Sequence, residues 1–172
     1  MPAPEAALAI ARRLRRAGHE ALFAGGCVRD RLRGVEPNDH DIATSATPEQ
    51  VRELFERTFD VGAAFGVIVV VFDSTPVEVA TFRQERGVHD GRHPLEVRLA
   101  GGAREDALRR DFTINGMFED PESGAVLDYV GGRADLAAGL VRSIGDPAQR
   151  FAEDRLRMLR AVRFATCFDF RL

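Results

Sequence analysis

The sequence predicts an α+β domain built around one mixed β-sheet flanked by helices. Three observations predict it. Short apolar, β-branched runs alternate with short segments of helical period. Two of those runs, Gly66 to Phe72 and Pro76 to Phe82, are separated only by Asp73-Ser74-Thr75, so they read as an antiparallel hairpin among helices. A chain of 172 residues with 45% apolar and 30% charged residues is also long enough to bury one core, and too apolar to stay disordered.

Each element follows from local chemistry. Glu5 to Ala17 carries Leu8, Ala11 and Leu14 at helical spacing, with Arg12, Arg13, Arg15 and Arg16 on the polar face, and Gly18 stops it. Glu20 to Ala24 reads as a short strand running into Gly25-Gly26, followed by a helix from Cys27 to about Arg33. Pro37 forces extended backbone ahead of it, and Asp39 to Ala43 reads as another short strand. Thr47-Pro48-Glu49-Gln50 is a helix start: Thr47 caps, Pro48 takes the first position and Gln50 completes a capping box. Arg83 to Pro94 is polar, glycine-containing and aperiodic, which predicts a mobile loop. Leu95 to Leu99 reads as a strand and Glu105 to Arg110 as a helix. Val126 to Tyr129 is a strand before Gly131-Gly132, Arg133 to Ala138 a helix, and Leu140 to Ile144 a strand. From Pro147 onward the pattern is helical.

Composition excludes several classes. No apolar run approaches the roughly 20 residues of a membrane span, and the start Met1-Pro2-Ala3-Pro4-Glu5 is not a signal peptide. Cys27 and Cys167 make no disulfide framework, so a cytoplasmic protein without a membrane partner is expected. All 24 basic residues are arginine, against 27 acids, for a net charge of −3. That balance argues against a dedicated, basic nucleic-acid module while leaving room for local basic patches. The absence of lysine fits a composition bias better than a wealth of planar phosphate contacts.

Two constellations carry chemistry. Gly25 and Gly26, after a strand and before a helix, leave backbone N–H groups free to approach a phosphate, although a plain strand-to-helix turn reads the same way. Asp39 and Asp41, two apart on an expected strand, point to one face. Such carboxylates repel by a few kcal/mol unless a cation lies between them, and magnesium takes one or two carboxylates plus substrate phosphates. A solvated acidic strand end is the plainer alternative. Glu78, isolated between Val77 and Val79, is a third acid that completes a plausible two-metal cradle for phosphoryl transfer.

At this point the chain resembles a known family. Leu22 to Asp30 with Gly25-Gly26 and Arg29-Asp30, then Pro37-Asn38-Asp39-His40-Asp41-Ile42-Ala43-Thr44, look like the head of the class II (bacterial-type) tRNA nucleotidyltransferases and poly(A) polymerases, in the polymerase β nucleotidyltransferase superfamily. Further stretches match in order: Glu78 to Arg83, Asp90-Gly91-Arg92-His93-Pro94, Arg109-Arg110-Asp111-Phe112-Thr113-Ile114-Asn115, Asp128 to Gly132 with Asp135-Leu136, and Arg150 to Ala165.

The resemblance implies roles. Gly25, Gly26 and Arg29 would hold the triphosphate; Asp39 and Asp41 would bind two Mg²⁺ ions, with Glu78 as the supporting catalytic acid. Arg110 and Asp111 would lie against the ribose, Asp111 reading a sugar hydroxyl. Asp154 and Arg157, one turn apart on an expected helix, would read the base, since cytosine and adenine both carry an amino group that a carboxylate accepts from. Arg160 and Arg163 on the same helix join the nucleotide-binding set. Two positions depart from the family pattern: His40 stands where an apolar residue is usual, and Asn38 where a basic one is common. Strand alternation turns His40 away from the aspartates.

The resemblance also implies an organisation: residues 1–145 form the palm-like head, and 146–172 begin a helical neck that is cut short. The implied reaction is template-independent addition of C and A from CTP and ATP to the 3′ end of tRNA, by two-metal catalysis with pyrophosphate release. Poly(A) polymerase, CC-only or A-only addition, and a head that binds nucleotide and Mg²⁺ without turnover are the alternatives.

Overall fold

The computed structural model describes residues 1–62, 66–88, 94–99 and 101–172. Its elements, in chain order, are α1 (Ala3–Arg16), β1 (Ala21–Ala24), α2 (Gly26–Leu32), β2 (Ile42–Thr44), α3 (Pro48–Leu54), β3 (Thr58–Gly62), β4 (Val67–Phe72) and β5 (Thr75–Thr81). They continue as β6 (Arg83–Val88), β7 (Pro94–Leu99), α4 (Ala103–Arg109), a 3-10 turn at Thr113–Asn115, β8 (Met117–Glu119), β9 (Val126–Asp128), α5 (Gly132–Ala137), α6 (Pro147–Glu153) and α7 (Leu156–Phe168). The main sheet has the order β3-β4-β5-β2-β1-β8-β9, and β6-β7 form a separate ribbon. The β2–β5 pair is parallel and the other pairs are antiparallel, which makes the sheet mixed, as expected.

Sheet alternation sorts the chain into two layers. One face carries Phe23, Ile42, Ile68, Val70, Val77 and Val79, which pack against Ala6, Ala7, Ile10, Ala11 and Leu14 of α1 and Val51 of α3. Fully burying a side chain such as Ile10 or Leu14 stabilises by about 1.5–3 kcal/mol. The other face carries Leu22, Ala24 and Ala43, packed with Phe82, Phe118 and Ala103 and Ala107 of α4. A third cluster, Phe112, Ile114, Val141, Ala161 and Phe164, fastens α7 to the 3-10 turn.

Local chemistry accounts for the matches. The capping box forms: Gln50 N–H donates to Thr47 Oγ1, and Thr47 N–H donates to Gln50 Oε1 at 2.9 Å. The β4–β5 hairpin turns on Asp73 and Ser74, both with positive φ (46° and 63°), the geometry that matches strand twist in a tight hairpin.

Five expectations are corrected. Asp39 and Asp41 are not on a strand: β2 starts at Ile42, and the Asp41 carbonyl accepts one hydrogen bond, from Ala24 N–H, at 3.0 Å. Residues 83–88 are not a loop, because β7 supplies a backbone ladder that their polarity does not reveal; residues 89–93 lie outside the described residues. Leu140 to Ile144 makes only isolated bridges, Phe112 with Ser143 and Leu140 with Arg171. Strands β3 and β8 were not expected. β3 is an exposed edge strand with Phe59 56% and Val61 67% exposed, so it lacks a buried face to betray it, and β8 is only three residues long. Asp154 is not helical: its φ of −146° and ψ of 106° break the chain between α6 and α7. No helix among the described residues is long and apolar enough to cross a membrane.

Candidate active site

Three acidic residues lie near the junction of β2 and β5, close enough for Glu78 and Asp39 to act on the charge of Asp41. Ile42 pairs with Val79 in parallel register, which brings Asp41 alongside Glu78. Val77 and Val79 are buried beneath the sheet, so Glu78 faces the opposite, open side. Asp39 is exposed two residues earlier, and Asp41 is half-buried. Burial, then the charges of Glu78 and Asp39, push the Asp41 carboxyl up to about 6, against the pull of Arg110. The trio is therefore electrostatically coupled. No three or more His, Cys, Asp or Glu side chains among the described residues close on one point tightly enough to cage an ion unaided.

The glycine turn lies at the end of β1. Gly25 has φ 71° and ψ −121°, a backbone state that L side chains avoid. A Cβ there would lie 3.0 Å from Arg110 Nη1, so the glycine also makes room for that guanidinium. Gly26 begins α2, where a Cβ would meet only ordinary contact, 3.6 Å from Arg29 Nη2.

The arginines are held by partners. Arg110 donates to Asp106 Oδ2 from Nε at 3.0 Å and Nη2 at 2.9 Å, lies 4.8 Å over the Phe118 ring, and donates from Nη1 to the Asn115 carbonyl at 3.3 Å. Arg29 is only 9% exposed. Its Nε and Nη2 grip Asp30 at 2.9 Å each, Nη1 donates to Asn115 Oδ1 at 2.6 Å, and its guanidinium lies over Phe168 at 4.7 Å. Arg29 is thus largely buried, with its donors engaged by Asp30 and Asn115.

Asp111 lies at the seam with α7. Its Oδ1 accepts from Phe112 N–H at 2.7 Å and Asn115 Nδ2 at 3.2 Å, and its Oδ2 accepts from Arg160 Nε at 2.7 Å. Arg163 and Arg160 flank the Phe164 ring at 4.9 Å and 5.4 Å. In the expected base-reading pair, Asp154 Oδ1 accepts from Leu156 N–H at 2.9 Å, and Arg157 turns to Glu153 Oε2 and the Arg150 carbonyl, each at 3.3 Å. The one-face helical geometry expected for Asp154 and Arg157 is replaced by a corner, because the chain leaves the helix at Asp154.

Other motif residues are structural. Asp128 accepts from the N–H groups of Val130, Gly132 and Arg133, capping α5. Asp135 accepts from Thr113 Oγ1 at 2.7 Å. His40 is buried edge-on to Phe23, with ring centroids 5.9 Å apart, and burial lowers its pKa; it does not join the acids. Cys27 donates to the Ala24 carbonyl at 3.3 Å, and burial pushes its thiol up to about 11, so it is an inert packing residue.

Sequence reasoning passed over Asp106 and gave Arg150 and Asn115, though inside the matching stretches, no role of their own. Asp106 was legible as an acid three and four residues before Arg109 and Arg110. Arg150 Nη2 donates to the carbonyls of Arg109 and Arg110 at 2.6 and 2.9 Å, a tertiary tie with no local signal.

Residues 21–142 match the Poly A polymerase head domain, and the chain belongs to that family. It is 47% identical over 166 residues to the CCA-adding enzyme of Bacillus pumilus, covering 96% of this chain and 41% of that protein. It superposes with a TM-score of 0.90 on the Bacillus stearothermophilus CCA-adding enzyme solved in complex with CTP, at 40% identity, covering 100% of this chain and 41% of that one. The Thermotoga maritima CCA-adding enzyme complexed with tRNA gives 0.72 at 25% identity, covering 96% and 38%. The chain thus spans about two-fifths of the length of these relatives.

Proposed function

We propose that this chain is the catalytic head of a template-independent RNA nucleotidyltransferase that adds C and A from CTP and ATP to the 3′ end of tRNA, releasing pyrophosphate. The observation that carries the reading is the register that sets Asp41 beside Glu78, two residues after Asp39 and next to the Gly25 turn. Similarity to CCA-adding enzymes over nearly the whole chain supports the particular reaction.

The donor set fits magnesium. Asp39, Asp41 and Glu78 enter no ion pair among the described residues, and burial first, then the charges of Glu78 and Asp39, raise the Asp41 carboxyl. Magnesium suits a small number of hard carboxylates because it takes its remaining oxygens from phosphates and water. Asp39 and Asp41 would hold two Mg²⁺ ions, with Glu78 in support; when bound, such ions lower the pKa of an attacking hydroxyl and neutralise the triphosphate.

The chain's own residues do the rest. The backbone of Gly25 and Gly26 leaves room for phosphate oxygens to approach. Arg110, held by Asp106, keeps a positive charge close to Asp41. Asp111 accepts from a ribose hydroxyl, and Asp154 and Arg157 at the α6–α7 corner read the base. Arg29 supports this group from below, and Arg160 and Arg163 frame it on α7. Residues 146–172 begin the second, helical unit.

The test is addition by the full-length protein to tRNA lacking A, CA or CCA, with each nucleotide supplied in turn. Completion to CCA, abolished by Asp39→Ala and Asp41→Ala, is the expected result. Addition that survives both substitutions overturns the assignment. Long A tails, A alone or CC alone would identify the sibling activities, and nucleotide binding without extension a head that does not turn over.

A further inference from the structure

Asn115 is 7% exposed in the 3-10 turn, and its polar atoms face three charged side chains at once. Oδ1 accepts from Arg29 Nη1 at 2.6 Å, Nδ2 donates to Asp111 Oδ1 at 3.2 Å, and the backbone carbonyl accepts from Arg110 Nη1 at 3.3 Å. A guanidinium offers only donors and a carboxylate only acceptors, so the residue between them must accept on one side and donate on the other. A neutral amide does both, and its orientation is fixed: turned over, it would oppose donor to donor and acceptor to acceptor.

The consequence falls on Asp111. Its Oδ1 is pinned by Phe112 N–H and Asn115 Nδ2, which leaves Oδ2 as the outward oxygen, the one Arg160 reaches at 2.7 Å. Without the Asn115 donor, Oδ1 keeps only the Phe112 N–H while Arg160 still holds Oδ2, and the plane of the carboxylate is less firmly set about its last torsion. Arg29, buried on the other side, anchors the amide against Asp30 and the Phe168 ring.

We propose that Asn115 is the positioning residue for sugar discrimination: it fixes the Asp111 carboxylate so that one oxygen is presented to the ribose hydroxyl of the incoming nucleotide. This rests on the reading of Asp111 as the ribose contact. Asn115 touches no substrate and acts through its neighbour. The hydroxyl selection it supports is worth most when the acceptor is preset, because a site built to bond a hydroxyl leaves that acceptor unpaired when the hydroxyl is missing.

The test compares kcat/KM for ATP and dATP on one tRNA primer lacking its terminal A, using the full-length protein. Asn115→Asp keeps an acceptor for Arg29 but opposes Asp111, so it separates the two contacts. The ATP:dATP preference should fall about tenfold, the worth of one hydrogen bond to a charged group, with dATP addition little changed. A purely structural role lowers both substrates equally; an unchanged ratio in Asn115→Asp overturns the inference. Asn115→Ala removes the donor without adding charge and carries the same comparison should the aspartate variant not fold. Asp111→Ala is the reference: if it leaves the ratio intact, the ribose reading of Asp111 fails and the inference with it. If it collapses the ratio while both Asn115 variants keep it, only the inference fails.

Discussion

Asp111 and Arg160 are joined at two points, Arg160 Nε and Nη2 lying 2.7 and 2.6 Å from the same Asp111 oxygen. The pair spans 49 residues of sequence and links the turn after α4 to the middle of α7. Both residues are proposed nucleotide contacts, and each is the other's ion-pair partner. The aspartate is largely buried while the arginine is close to half exposed, which limits the energy of the bond. A double-mutant cycle with Asp111→Asn and Arg160→Gln should give a coupling of about 0.5–1 kcal/mol in urea unfolding. Additive effects would mean that the pair does not persist in solution.

Asp41 beside Glu78 is a case where function opposes stability. Two carboxylates share the open face of the sheet, and burial with like charge raises the Asp41 carboxyl to about 6. Asp41→Asn relieves that repulsion at nearly constant volume. The variant should lose about a thousandfold in nucleotide addition, as expected when several kcal/mol of metal-borne stabilisation go. Its unfolding midpoint without metal should stay level or rise. A clear fall in the midpoint would show that Asp41 serves the fold first.

The two glycines of the turn separate by the same logic. Gly25 has φ of +71° and meets Arg110 Nη1 at 3.0 Å from a built Cβ, and that guanidinium is held by Asp106 and cannot easily retreat. Gly26 begins α2 with only a 3.6 Å neighbour. Gly25→Ala should destabilise by about 1–3 kcal/mol through backbone strain. Gly26→Ala should leave thermal stability within about 1 kcal/mol, since alanine suits a helix better than glycine does. Its cost should appear as a raised KM for the nucleotide. Equal destabilisation by both would contradict the backbone geometry.

The difference between these glycines shows where sequence reading reached and where it stopped. Gly25-Gly26 was legible as a turn, because doubled glycine between strand and helix has few other uses. The unequal roles of the two were not, because they depend on Arg110, which approaches from 85 residues away. The acids follow the same rule. Asp39 and Asp41 stood out by their spacing after the glycine turn and Glu78 as a charge among apolar residues, yet the placing of Asp41 beside Glu78 needs the parallel β2–β5 register, a non-local fact. Arg29 meets the same limit. Its motif suggested a phosphate ligand, while packing buries it among Asp30, Asn115 and Phe168. The break at Asp154 was hidden because Ala148, Phe151 and Ala152 before it and Leu156 and Leu159 after it keep a helical period across it.

Asp106 is the buried carboxylate that Arg109 and Arg110 share. Its side chain is 2% exposed and takes Arg109 on Oδ1 at 2.7 Å and Arg110 on Oδ2 at 2.9 Å. Burial alone would raise its pKa, but the charges of Arg110 and Arg109 outweigh burial and hold the carboxyl below its ordinary value. A depressed native pKa means that the unfolded chain binds the proton more readily. The contribution is therefore complete above the unfolded value, near pH 4, and is lost as pH falls through the lower native value. Asp106→Ala leaves two arginines short of their carboxylate and should cost about 3–5 kcal/mol at pH 7. Asp106→Asn keeps the shape and removes the titration. Urea midpoints of wild type and Asp106→Asn, followed from pH 7 to pH 2.5, should converge below about pH 4 as the wild-type aspartate takes up its proton. A gap that stays constant across that range would show that the carboxylate charge contributes nothing to holding Arg110 beside the glycine turn.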